Sequence, residues 1–161
     1  MNPNSSSVRY IEHIPAEPDR GMILVRLGYK KTTTVLDGQQ QAMVDDCIKK
    51  GLLLCRVKGA FGRFHITDRS ESFVRIEDNH IVESSGLAKI LGNSEEVLLM
   101  SSTVGREIVD RIYDEIENGD AAAGVIFDAV ASETADAGLD WLMVFFNKLL
   151  RIEGKKLTRQ R

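Results

Sequence analysis

Four carboxylates crowd one stretch of the chain, at spacings that a helix would bring together. Asp128, Ser132 and Asp136 are four residues apart and share one helical face. Glu133, Asp136 and Asp140, three and four apart, share an overlapping one. Carboxylates grouped in this way can do acid/base work or hold an ammonium group. An acidic helix face is also an ordinary solvated surface. Ala131, Ala135 and Gly138 on the same stretch would let a ligand or another backbone come close. A second candidate is the turn from Ser101 to Gly105, where backbone amides opening a helix would attract an anion. A phosphate loop needs more glycine and a lysine, and neither is there. The plainer reading makes Ser102 or Thr103 the cap of a helix, with Glu107 in its first turn. A third is RLGYKK, Arg26 to Lys31, where Gly28 suggests a turn and Tyr29 a buried anchor. No nucleophile stands beside a base, and no dinucleotide fingerprint is present.

The elements that would position these residues follow from periodicity and punctuation. Residues 1–20 read as a flexible or extended lead, with a disordered Met1 to Ser7. Residues 21–161 read as one domain. MILVRL, Met22 to Leu27, is too short for periodicity to separate strand from buried helix. Asp37 caps a helix that runs from Gly38 to about Leu54, with Met43, Val44, Cys47, Ile48 and Leu52 at helical spacing. Gly59 to Thr67, Ser72 to Glu77 and His80 to Glu83 are strands, the last two forming a hairpin across Asp78-Asn79. In the middle strand Val74 and Ile76 share one face and Phe73, Arg75 and Glu77 the other. Ser84 or Ser85 opens a short helix stopped at Gly92, and EVLLMSS is a buried strand. Ile108, Val109, Ile112, Tyr113 and Ile116 give a helix that ends at Asn118-Gly119. Asp120 then caps the longest one, to about Arg151, with an apolar stripe of Ile126, Val130, Ala137, Trp141, Phe145 and Leu149. Lys155 to Arg161 looks like the start of a strand. The expected class is α+β: a mainly antiparallel sheet, a long C-terminal helix and two or three further helices.

Composition narrows the role. The 161 residues are 43% hydrophobic and 28% charged, enough apolar material for a real core. A net charge of -3 argues against a nucleic-acid partner, which needs a clustered basic surface. No apolar run approaches ~18 residues, so neither a signal peptide nor a membrane span is expected, and the default location is cytoplasmic. Cys47 and Cys55 fit neither a zinc pattern nor a CxxC pair and read as buried thiols. Three scattered histidines offer no metal constellation.

Taken in order, RLGYKK, then HIVESSGLAKILGNSEEVLLMSSTVGREIVDRI (His80 to Ile112), then VIFDAVASETADAGLDWL (Val125 to Leu142) resemble one family. It is the activation (reactivation) domain of cobalamin-dependent methionine synthase, with its stand-alone relatives. The matching positions are Ser84 or Ser85, Leu87-Ala88-Lys89, Leu91, Thr103, Gly105, Asp128-Ala129 and Ser132. The resemblance covers roughly Gly21 to Arg161. It implies a domain that binds S-adenosylmethionine and docks over the cobalamin of a corrinoid-binding protein or methyltransferase domain. With a flavodoxin-like electron donor, oxidised cob(II)alamin is returned there to methylcobalamin. The chain would then be an accessory to a methyltransferase rather than an independent enzyme. By motif position Asp136 would hold the methyl donor, with Glu133 and Asp140 the next choices. The family's Arg-x-x-x-Gly-Tyr motif follows the long helix. Here Arg159 or Arg161 could be its first residue, but no Gly-Tyr follows. The resemblance therefore implies a fragment, a short relative or one part of a split protein. The alternative is a non-catalytic interaction module that has lost the ligand site. It would pair through a sheet edge, as a homodimer or with a separate C-terminal subunit.

Overall fold

The computed structural model describes residues 8–30 and 32–158. The elements, in order, are β1 (Arg9–Ile11), α1 (Arg20–Arg26), α2 (Gly38–Leu54), β2 (Lys58–Arg69), β3 (Phe73–Ile76), β4 (His80–Glu83), α3 (Ser85–Leu91), β5 (Glu96–Thr103), α4 (Arg106–Glu117) and α5 (Ala121–Ile152). The strands form one curled antiparallel sheet in the order β1-β2-β3-β4, with β5 also paired to β2. The class is α+β, with a long C-terminal helix and four others among the described residues.

The helix beyond the three expected besides α5 is the ambiguous MILVRL run. Two local signals settle it as α1. Asp19 accepts from the Met22 amide at 2.9 Å and caps the start. At the other end the Gly28 amide donates to the Val25 carbonyl and the Tyr29 amide to the Leu24 carbonyl. This closure requires positive φ after the last turn, and Gly28 supplies it at 84°. Gly28 is thus a helix stop, and Tyr29 is half-buried. The other caps follow the sequence. Asp37 and Gln40 make a reciprocal capping box, Ser84 caps α3, and Asp120 Oδ1 accepts from the Ala123 amide at 3.0 Å.

The chain forms two compact units. One contains residues 8–10, 60–101 and 147–158. In it β3 pairs with β4 in the register Phe73↔Glu83, Val74↔Val82, Arg75↔Ile81 and Ile76↔His80. Val74 and Ile76 are buried on one face, and the other face is more open. The turn is Glu77-Asp78-Asn79, one residue longer than expected, and Glu77 takes the left-handed conformation at φ 51°. Its carboxylate accepts from the His65 amide, and its carbonyl accepts from Thr67 Oγ1, so β2 fastens the turn. Glu96 gathers the charges of this unit. Its Oε2 accepts from Arg63 Nη2 at 2.7 Å and Lys155 Nζ at 2.8 Å, while Arg63 Nη1 also reaches both Glu153 oxygens at 2.9 Å. Residues 155–158 carry no strand, and Lys155 spends its amine on Glu96. Residues 159–161 lie outside the described residues.

The other unit contains residues 11–59 and 102–146. Its core is Ile14, Ile23, Val44, Ile108, Phe127, Val130 and Leu142, each at most 2% exposed. Burial of each contributes roughly 1.5–3 kcal/mol before entropy is counted. Gly51 of α2 lets Phe127 and Val130 come so near that an added Cβ would meet them at 3.1 Å. The buried stripe of α5 begins as expected, at Ile126 and Val130. It then runs through Thr134, Gly138, Leu142 and Phe146. Trp141 and Phe145 fall one position off and lie half-buried, stacked on each other at 5.3 Å. The expected stripe takes a step of seven from Val130 to Ala137, whereas the buried one keeps to steps of four through Thr134 and Gly138, and from there the two run one position apart.

Candidate functional site

The acidic face of α5 is real, and it already holds a cation. Arg26, the last residue of α1, donates from Nε to Glu133 Oε1 at 2.7 Å and from Nη2 to Asp136 Oδ2 at 2.9 Å. The geometry follows from the two helices. Positions 133 and 136 are three apart, so both carboxylates stand on one side of α5. The Asp19 cap and the Gly28 stop fix the length of α1, so that Arg26 sits at its end. The Glu133 side chain is 11% exposed and that of Asp136 is 51% exposed, so Glu133 is the deeper anchor. The hydrogen bond that Arg26 donates to Glu133 raises the pKa of its guanidinium, with Asp136 and Asp128 adding to the field. A planar guanidinium shared between two carboxylates is a strong form of this pairing.

Ser132 and Asp128 lie beside this pair on α5, Ser132 half-buried and Asp128 exposed. Thr103 and Gly105 belong to a different set of contacts. Gly105 itself is the N-cap of α4, with φ 86° and ψ 177°, and no side chain caps that helix. The expected Ser102 or Thr103 cap is therefore absent. Thr103 Oγ1 instead accepts from the Gly105 amide at 3.3 Å. Gly105 is needed because a Cβ there would stand 3.2 Å from that of Arg56, whose amide donates to the Val104 carbonyl at 2.6 Å. Ser102 turns inward against Gly138 of α5, its Oγ buried and without a hydrogen-bond partner among the described residues. The small residue at 138 thus makes room for the side chains of Ser102 and Val57. Arg161 lies outside the described residues.

The structure joins two candidates that sequence reasoning kept apart, because RLGYKK supplies the cation that the carboxylates hold. The Gly-Tyr pair drew attention to that segment, and its arginine carried no local signal. Cys55 ends α2, half-buried, its thiol pKa raised by burial although a hydrogen bond with Thr134 works the other way. Cys47 is buried, and both cysteines are free. A hollow of about 350 Å³ lies on the open face of β3 and β4, lined by Ser72, Phe73, Arg75, Ile81 and Glu83. It shares no residue with the candidates above. Among the described residues no helix is long and apolar enough to cross a membrane.

No protein-family model matches the chain, and no curated protein matches it. Solved structures do. One is the crystal structure of the MetH reactivation domain bound to AdoHcy, with a TM-score of 0.67 and 11% sequence identity. The match covers 94% of this chain and 59% of that one, so the chain spans about three-fifths of its neighbour's length. At this identity the likeness is one of fold.

Proposed function

We propose that the chain is an accessory module of cobalamin-dependent methyl transfer, which presents S-adenosylmethionine to a corrinoid carried by a partner protein. The observation that carries this reading is the likeness of fold to a reactivation domain bound to AdoHcy, over 94% of the chain. It agrees with the order of the sequence motifs. The chemistry of the α5 face supports it too. Glu133 and Asp136 converge on a single guanidinium, so they suit a positively charged ligand group in its place. Bound S-adenosylmethionine would supply the methyl group. This chain's share is to hold and orient it: Glu133 and Asp136 on its positive groups, with Asp128 adding to the field and Ser132 beside them. Arg26 must give way for the ligand to reach the carboxylates. A corrinoid-binding or methyltransferase partner, a flavodoxin-like electron donor and a cytoplasmic location belong to the same reading.

Calorimetry with AdoHcy and S-adenosylmethionine tests it. Wild type should bind, and Glu133→Gln should weaken binding about tenfold or more, since it removes the deeper charge. The absence of heat from wild type would sink the proposal, as would full affinity in both Glu133→Gln and Asp136→Asn. One observation favours a second reading, an interaction module without ligand. Arg26 already satisfies both carboxylates, as a purely structural ion pair would. Under that reading both variants lose stability and neither ligand binds.

A further inference from the structure

Helix α4 buries Ile108 completely and pairs most of its charges internally, Arg106 with Asp110 and Arg111 with Glu115. Its outer side is unusual for a solvated surface. Val109 and Tyr113 are 39% and 63% exposed and four apart on one stripe, and Ile116, 51% exposed, borders it where its side chain packs over Gly124 of α5. Arg106 stands at the start of that stripe and Glu117 at its end, both exposed. Glu117 makes no ion pair among the described residues.

We infer that this stripe is a homodimer surface, on which two copies pack α4 against α4 in antiparallel orientation about a two-fold axis. The order of side chains argues for a second copy of this chain as the occupant. A two-fold contact must be self-complementary, with residue i meeting j and j meeting i. Along α4 the midpoint of Val109 and Tyr113 is position 111, and that of Arg106 and Glu117 is 111.5. The two midpoints differ by about 0.8 Å along the axis. One axis crossing the helix there places Val109 under Tyr113 of the second copy, twice. It also places Arg106 against Glu117 of the second copy, twice. Each basic end thus meets an acidic one, and the opposed helix dipoles are favourable as well. A parallel arrangement would set Arg106 against Arg106 and Glu117 against Glu117. A foreign helix would have no reason to match this spacing. The face is small, so the dimer belongs to the weak class.

Sedimentation equilibrium of the full chain, from about 5 µM to about 1 mM, is the test. The apparent mass should rise from 17.9 kDa toward twice that value. Tyr113→Asp should hold the protein monomeric with an unchanged circular dichroism spectrum, because its side chain lies mostly in solvent. Arg106→Glu and Glu117→Arg should each weaken the dimer about tenfold at low salt, since a two-fold axis doubles every charge clash. The combined swap, Arg106→Glu with Glu117→Arg, should bring affinity back to within about threefold of wild type. A wild type that stays monomeric at about 1 mM overturns the inference. So does a dimer indifferent to Tyr113→Asp, or a charge swap that restores nothing.

Discussion

Acid should loosen one unit of this protein through a single carboxylate. Glu96 is held by Lys155 and by Arg63, which together lower its pKa from the ordinary 4.5 to about 2. The folded state therefore binds the Glu96 proton more weakly than the unfolded chain does. The resulting stability is present in full above the unfolded value and is lost as pH falls from about 5 toward 2. A difference of this size corresponds to at most about 3 kcal/mol at neutral pH. The Lys155 and Arg63 side chains are 45% and 34% exposed, and solvent screening reduces the net effect to roughly 1–2 kcal/mol. About two-fifths of it should survive at pH 3, where the folded carboxylate is still mostly ionised. Urea unfolding of wild type and Glu96→Gln at pH 7 and pH 3 measures this directly. The gap between the two proteins should be about 1–2 kcal/mol at pH 7 and under about 1 kcal/mol at pH 3. Equal gaps at both pH values would refute the reasoning, because the carboxylate would then gain nothing from its partners.

Two glycines offer further tests. Gly105→Ala places a side chain at φ 86° and 3.2 Å from Arg56 Cβ. It should cost about 1–3 kcal/mol, read as a melting temperature lower by roughly 3–10 °C. Gly138→Ala drives a methyl group to 2.2 Å from Ser102 Oγ and 3.0 Å from Val57 Cγ1, for a loss of about 1–3 kcal/mol in urea unfolding. Ser102→Ala alone should be neutral or stabilising, as it removes a buried hydroxyl with no partner. Combined with Gly138→Ala it should recover part of the loss, and strict additivity would argue against the contact.

Local signals in the sequence carried most of the fold. Asp37, Ser84 and Asp120 marked three helix starts, because a short polar side chain before an apolar period has one main use there. The burial of Val74 and Ile76 could be read from alternation alone. MILVRL was undecided because a run apolar on all sides has no period. The evidence lay just outside it, in Asp19 and Gly28. The α4 start was misread because serine and threonine are the usual caps, whereas close approach to Arg56 left room only for glycine. In the candidate site the carboxylates were visible as a helical cluster. Their partner was not, since no spacing rule reaches from Arg26 to Glu133.

The Arg26 pairs span 107 and 110 residues of chain. During synthesis, α1 must therefore wait for its counter-charges. At about 5–20 residues per second, the delay between making Arg26 and making Asp136 is roughly 5–20 s. Throughout that interval the guanidinium is free to meet other acids of the nascent chain. Closing so long a loop also places this contact among the late, entropically expensive steps of folding. The Arg26 clamp is thus a mark of completed folding, and a chaperone or protease meeting the chain earlier would find α1 without it.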